Sequence, residues 1–189
     1  MLAKLETHAS ILSAVALAKT SHVLLVLPKS KQLPVLPGAG ALRALLKRRA
    51  MRAEKLAETP LCATLPHGGL AAWVMLDSAK SVFEQYTLLR KALQPLLEEN
   101  PQTLCISTYG SPDERAKAGQ LAAYAAWVNG AKLPQRKKKP PSKPLARIVL
   151  YGCQTTHDFK ELLAQAEGNL LCRELTVLPP NELTPGLYR

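Results

Sequence analysis

Short apolar runs alternate along the chain with longer segments in which apolar residues recur every three or four positions. Residues 21–27 are apolar at both odd and even positions and end at Pro28, which is typical of a strand that is covered on both faces. Residues 41–49 have helical spacing with a basic outer face. The pattern predicts a first unit of strand followed by helix.

The middle of the chain predicts a hairpin and a long helix. Residues 61–65 and 70–76 are apolar and flank the sequence Pro-His-Gly-Gly, whose length and composition fit a hairpin turn. Ser78 or Ser81 can cap the helix that follows, which ends near Asn100 and Pro101. Its predicted apolar face comprises Val82, Phe83, Tyr86, Leu89, Leu93, Leu96 and Leu97.

The same alternation continues to the end of the chain. Residues 103–108 and 146–151 read as strands, and residues 115–128 as an alanine-rich helix that starts near Ser111 and Pro112. Residues 156–175 predict a last helix, with Thr156 or Asp158 as its cap. Strands and helices in this order predict an α/β domain with three layers, in which a mixed, mostly parallel sheet is flanked by helices.

Composition fits one folded domain in a reducing compartment. The chain has 189 residues, of which 47% are hydrophobic and 21% are charged. Residues 7–18 carry no formal charge but are fewer than the roughly 20 apolar residues that a membrane span needs, so no membrane association is predicted. The cysteines are far apart in the sequence, which favours buried, reduced thiols and a cytoplasmic location. They are Cys62, Cys105, Cys153 and Cys172.

Positive charge is concentrated in one proline-rich segment, residues 132–143. The net charge of the chain is +11. The segment contains no acid, and its basic residues are Lys132, Arg136, Lys137, Lys138, Lys139 and Lys143. Its prolines disfavour helix and strand, which predicts an exposed loop. Such a loop is either a solvated surface or a contact for nucleic acid.

No catalytic motif is present in the sequence. Phosphate-binding loops, the HExxH zinc motif and the GxSxG nucleophile motif are all absent, and the three aspartates are far apart. A two-metal hydrolase needs several carboxylates that converge on the ions. His67 beside two glycines could approach a ligand, but a hairpin turn also explains it, and Pro37-Gly38-Ala39-Gly40 is explained by a plain turn. The sequence therefore predicts no catalytic residue and no metal site in this chain.

The carboxyl end carries a resemblance to a known family. Arg173, Glu174 and Leu175 precede a Pro-x-Asn-x-x-Thr-Pro turn, whose matching residues are Pro179, Asn181, Thr184 and Pro185. This segment resembles the junction between the two domains of leucyl aminopeptidases, also called cytosol aminopeptidases, although Val177 stands where the family usually has asparagine. Residues 119–139 are similar to the family's last helix before its basic loop. The resemblance divides the chain into an amino-terminal domain, residues 1–172, and a junction, residues 173–189.

The resemblance implies that this chain is a non-catalytic amino-terminal domain, with a fold like that of macro domains. The implied parent removes amino-terminal residues from peptides with two divalent metals, zinc, manganese or magnesium, held in a carboxyl-terminal catalytic domain. The family forms hexamers with the catalytic domains at the centre, so this chain alone is expected to be a monomer. Two alternatives stay open: nucleic-acid binding through residues 132–143, and small-molecule binding at the strand ends.

Overall fold

Twelve elements make up the described part of the chain, and nine of them, from β2 to α5 without the 3-10 helix, follow the predicted alternation. The computed structural model describes residues 2–133, 143–153, 159–178 and 186. The strands are β1 (Lys4–His8), β2 (His22–Pro28), β3 (Leu61–Thr64), β4 (Leu70–Leu76), β5 (Thr103–Thr108) and β6 (Arg147–Tyr151). The helices are α1 (Ala14–Ala18), α2 (Ala39–Arg48), α3 (Val82–Glu98), α4 (Pro112–Gly130) and α5 (Lys160–Thr176), with a 3-10 helix at Ala53–Ala57.

All six strands form one sheet in the order β1-β6-β5-β2-β4-β3. Every neighbouring pair is parallel except β3 and β4, which are the antiparallel hairpin that the sequence predicts. The three-layer α/β fold with a mostly parallel sheet is therefore confirmed. Within residues 2–133, 143–153 and 159–178, no helix has the length and apolarity needed to cross a membrane.

Side chains of the central strands alternate between two cores, one on each face of the sheet. Leu24 and Val26 of β2 contribute to a core that also includes buried residues of α3, α4 and α5. Val23 and Leu25 contribute to the opposite core, which includes buried residues of α2 and the 3-10 helix. Because successive residues of a strand point to opposite faces, a central strand covered on both sides must be apolar throughout. The continuous apolar run at residues 21–27 has this cause.

The start of α3 follows the predicted cap, but its first apolar residues are not buried. The Ser81 hydroxyl accepts a hydrogen bond from the backbone of Glu84 at 3.3 Å, and the Glu84 carboxylate accepts one from the backbone of Ser81 at 2.9 Å. The predicted apolar face is wrong at Val82 and Phe83, which are 51% and 79% exposed. Both lie in the first turn, which precedes the part of α3 that packs on the sheet.

The sequence patterns missed the edge strand β1, the helix α1 and the 3-10 helix, and they misjudged one helix start. β1 is a five-residue edge strand with a mixed burial pattern, too short for its periodicity to stand out. Phe159 is the residue that caps α5, without a side-chain hydrogen bond. The predicted caps, Thr156 and Asp158, lie outside the described residues. α5 runs without interruption across residue 172, the predicted end of the amino-terminal domain, and ends at Thr176.

Candidate functional site

Arg173 connects the ends of α4 and α5. It lies in the last turn of α5, and its guanidinium donates a hydrogen bond to the backbone oxygen of Val128. Val128 is near the end of α4, where carbonyl groups have no partner within their own helix. A cation placed there donates a hydrogen bond to such a carbonyl, and it is also stabilised by the negative end of the helix dipole. Of the predicted junction residues, Arg173 thus has a described role in orienting the end of α5.

The other predicted junction residues, Pro179, Asn181, Thr184 and Pro185, lie outside the described residues. The described chain passes from α5 through Val177 and Leu178, whose backbone N–H groups each donate to a carbonyl three residues back at 3.3 Å. These bonds close the last turn of the helix. The stiff turn after it stays a prediction from the sequence.

The residues that flank the basic segment, Gly130 and Leu145, are in contact. Leu145 donates its backbone N–H to the carbonyl of Gly130 at 3.1 Å, and a β-carbon at Gly130 would lie 2.9 Å from the Leu145 side chain. The end of α4 and the start of the return to β6 therefore touch. Lys132 and Lys143 are described on either side of the segment, whereas Arg136, Lys137, Lys138 and Lys139 lie outside the described residues.

Lys132 borders a polar cleft between the ends of α3 and α4. The cleft has a volume of about 490 Å³, and its lining includes Arg90, Glu98, Asn100 and Asn129. Arg90 and Asn129 also line a neighbouring groove between α3, α4 and α5. A row of cationic and amide side chains therefore extends from Lys132, at the start of the basic segment, to Arg90 and Asn129 on the face formed by α3, α4 and α5.

Aromatic side chains on that helical face were not foreseen. Phe83, 79% exposed, lines the groove together with Tyr86 and Tyr124, whose ring centroids are 5.0 Å apart. Trp127 on the same helix is 2% exposed, whereas Tyr124 is half-buried and packs against the first core. The available signal was the position of Phe83 two residues after the capping Ser81, which places it in the first turn of α3.

The carboxyl ends of β2, β4 and β5 enclose a second cleft, of about 180 Å³. The strands that follow β2 are added on one side of it up to β4 and on its other side from β5 onward, so the strand order reverses between the parallel neighbours β2 and β5, which is where open α/β sheets usually bind ligands. Lys29 donates to Asp77 across the cleft at 2.7 Å. This hydrogen bond holds the pKa of Asp77 below its usual range, with a further contribution from the backbone N–H of Ala79, and it raises the pKa of Lys29. The two groups form a salt bridge whose opposite charges cancel.

The helix ends beside this cleft are already occupied by carboxylates. Glu114 accepts the backbone N–H of Ser111 at 2.8 Å, and this bond, with that from the Ser111 hydroxyl, lowers the pKa of Glu114. Glu84 holds the same place at the start of α3. Because a phosphate would need these positive helix ends, the two carboxylates disfavour an anionic ligand. The loop at Pro37 leads into α2 with Gly38 as an N-cap of left-handed conformation, which agrees with the plain turn.

The described histidines do not converge on one site. The Nε2 atom of His67 lies 3.2 Å from the carbonyl oxygen of Thr20, which ties the hairpin turn to the start of β2. His22 contacts Glu99 at 2.7 Å, and His8 stacks on Tyr151 with centroids 4.7 Å apart. In the ranges that the structure describes, no group of three or more His, Cys, Asp or Glu side chains could hold a metal ion.

Thiol reactivity should separate Cys172 from the other cysteines. Burial raises the pKa of Cys62 to about 11, of Cys105 to about 12, and that of Cys153 above its usual range, whereas Cys172 is exposed. Since the thiolate is the reactive form, we expect one thiol per native chain to react rapidly with a disulfide reagent at pH 8. Cys172→Ser should abolish the fast phase, and denaturant should expose all the cysteines. A fast phase that survives in the variant would contradict the burial of the others.

Comparison with known proteins adds a likeness of fold. No family model matches the sequence, and no curated protein matches it. Among solved structures, a mutant of tomato leucine aminopeptidase superposes with a TM-score of 0.65 at 16% sequence identity. The match covers 99% of this chain and 41% of the tomato chain. At this identity the likeness concerns the fold, and this chain spans less than half the length of the protein that it matches.

Proposed function

We propose that this chain is the non-catalytic amino-terminal domain of a metal-dependent leucyl aminopeptidase. The observation that carries the proposal is the fold likeness, because it spans 99% of this chain yet only 41% of the tomato enzyme. The junction pattern of residues 173–185 supports it independently, since that pattern comes from sequence and not from fold. In this proposal the domain is cytoplasmic, its first partner is its own catalytic domain, and the parent is a hexamer that acts on peptides.

The chemistry of the described residues is consistent with an accessory role. Among the described residues, the carboxylates of Glu84 and Glu114 are engaged in helix caps, Asp77 pairs with Lys29, and the three described histidines lie at separate places. In the proposal, two divalent metals would be held by the catalytic domain and would supply the activation of water for peptide hydrolysis. This chain supplies a rigid support, and Arg173 fixes the direction in which α5 leads toward the catalytic domain.

The test is a leucine p-nitroanilide assay with added Zn²⁺, Mn²⁺ or Mg²⁺. We expect no metal-dependent turnover from the 189-residue chain, and turnover from the product of the continuous reading frame that contains it. A chelator should abolish that turnover and added metal should restore it. Turnover by the 189-residue chain alone would overturn the non-catalytic assignment. Inactivity of both proteins would overturn the aminopeptidase assignment.

A second candidate function is binding of single-stranded nucleic acid through residues 132–143. The observation that favours it is the continuity of Lys132 and Arg90 with exposed Phe83, because such sites combine backbone charge with aromatic rings that stack on bases. Binding of a small anionic ligand in the cleft at the strand ends has no comparable support, because carboxylates cap the helix ends beside that cleft.

Neutralising the basic loop should affect nucleic-acid affinity and leave the fold intact. We expect Lys137→Gln, Lys138→Gln and Lys139→Gln together to change the melting temperature by only about 1–2 °C, since exposed like charges contribute little to stability. If the loop binds single strands, the slope of log affinity against log salt should fall by about 2. The control removes equal charge from exposed Lys47, Arg48 and Arg49. Equal losses in both triple variants would show only non-specific attraction.

A further inference from the structure

β1 forms one edge of the sheet, and its outer side is unpaired among the described residues. β1 stands at one end of the strand order, and within the described ranges it pairs only with β6. The N–H of Lys4 donates to Ala146 next to β6, so by alternation the backbone groups of Leu5 and Thr7 point away from the sheet. Among the described residues, no hydrogen bond satisfies those outward groups. An unpaired edge of this kind is a template for another strand.

A groove runs beside this edge on the face that carries Leu5. It has a volume of about 680 Å³ and lies between β1 and α5. Its apolar lining includes Trp127, Leu163, Leu170 and Leu171, the last of which is 56% exposed. The groove leaves space for the inward side chains of an added strand, which would extend the first core by one further strand.

The opposite face of β1 carries an ordered pattern of charge. Lys4 and Glu6 share this face and are 3.9 Å apart, with side chains 80% and 35% exposed. Glu6 also contacts Arg147 of β6 at 3.8 Å. An antiparallel strand gains most if it sets an acid opposite Lys4 and a base opposite Glu6, because directly opposed unlike charges stabilise a sheet.

β1 itself satisfies that requirement. If two copies pair antiparallel with Leu5 opposite Leu5 of the partner subunit, Lys4 lies opposite Glu6 of the partner subunit, and the reverse pair forms by symmetry. This register also uses the outward backbone groups of Leu5 in both copies. A register centred on Glu6 would instead oppose two carboxylates, so charge selects the register centred on Leu5.

We propose that the exposed edge of β1 is an interface between two copies of this chain, which pair antiparallel about Leu5 and join their sheets into one. The twofold axis sets α5 antiparallel to its copy, with the groove-lining Leu171 on the side that faces the seam. This differs from the monomer that the family resemblance implies, and it does not depend on the proposed aminopeptidase function.

Charge reversal on β1 tests both the interface and its register. The mass of the 189-residue chain is measured by sedimentation equilibrium across a range of concentrations at low salt. We expect a reversible dimer, weakened about tenfold by Lys4→Glu and by Glu6→Lys, since each change opposes like charges twice. The double variant Lys4→Glu/Glu6→Lys should regain dimerisation. Lys19→Glu, which reverses an exposed lysine outside β1, should have no effect.

A backbone variant separates the edge from its charges. Thr7→Pro removes an outward N–H that takes no part in pairing with β6, and proline is tolerated on edge strands. We expect it to weaken the dimer while thermal unfolding of the monomer changes little. A wild-type chain that stays monomeric at all concentrations overturns the proposal. A dimer that survives Thr7→Pro places the interface elsewhere, and a double variant that is not rescued overturns the register.

Discussion

Gly152→Ala should destabilise the fold by about 2–5 kcal/mol. Gly152 follows β6 and has a φ of 85°, which is costly for any residue with a β-carbon. A β-carbon there would lie 2.5 Å from the backbone oxygen of Thr108, an atom that cannot move without disturbing β5. The N–H of Gly152 also donates to His8 at 3.0 Å and Ser10 at 2.9 Å. The variant therefore disturbs three neighbouring strands at their carboxyl ends.

Gly68→Ala is the matched control, measured by urea unfolding beside Gly152→Ala. Gly68 has a similar φ of 89°, but no heavy atom lies within 4 Å of the position that a β-carbon would occupy. We expect only the backbone cost, about 1 kcal/mol. The difference between the two variants then measures the steric contact with Thr108. Equal losses would mean that the end of β6 adjusts freely and that the close approach has no energetic consequence.

Trp127→Ala should destabilise the fold by about 3–5 kcal/mol, as expected for removal of a large buried aromatic side chain. Trp127 is 2% exposed in the core under α4, and its ring meets Phe159 edge-on at 6.5 Å. Its Nε1 atom donates to the backbone oxygen of Ala3 at 2.8 Å. This bond fastens the chain directly before β1 to α4, so the edge strand should loosen together with the core.

Comparison of Trp127→Phe with Trp73→Phe isolates the hydrogen bond. Both tryptophans are fully or almost fully buried, but Trp73 Nε1 has no hydrogen-bond partner among the described residues. Each variant loses a similar volume, and only Trp127→Phe leaves a carbonyl group without its donor. We expect Trp127→Phe to cost about 1–2 kcal/mol more in urea unfolding. A larger loss at Trp73 would contradict the role assigned to the Ala3 contact.

Local patterns predicted the strands that are buried on both faces and the long helices α3 and α4, which begin with capping boxes, but not the short helix α1, although the Ser13 side chain caps it. The run at residues 21–27, the hairpin and strand β5 follow from continuous apolar sequence, and Ser81 and Ser111 both form capping boxes. The alternation of strands with helices was therefore enough to predict the class of fold. Val82 and Phe83 belong to α3, but its predicted buried face was wrong at both, because periodicity does not reveal which turn of a helix reaches the core.

Features that depend on contacts between distant segments were not predictable. The hydrogen bond from Arg173 to Val128 joins residues 45 positions apart, and that from Trp127 to Ala3 spans 124 positions. Both depend on how the helices pack, which no local pattern encodes. For the same reason, the basic loop was visible in the sequence, whereas the continuity of Lys132 and Arg90 with Phe83 was not.

The sequence by itself determined the class of fold, the absence of catalytic motifs and the concentration of charge at residues 132–143, because these follow from neighbouring residues. The tertiary structure decided that β1 occupies the edge of the sheet, that Phe83 faces solvent and that carboxylates cap the helices beside the strand-end cleft. Strand order and helix packing arise from contacts between residues far apart in the chain. A five-residue strand therefore becomes a candidate interface only when the fold leaves one of its edges unpaired.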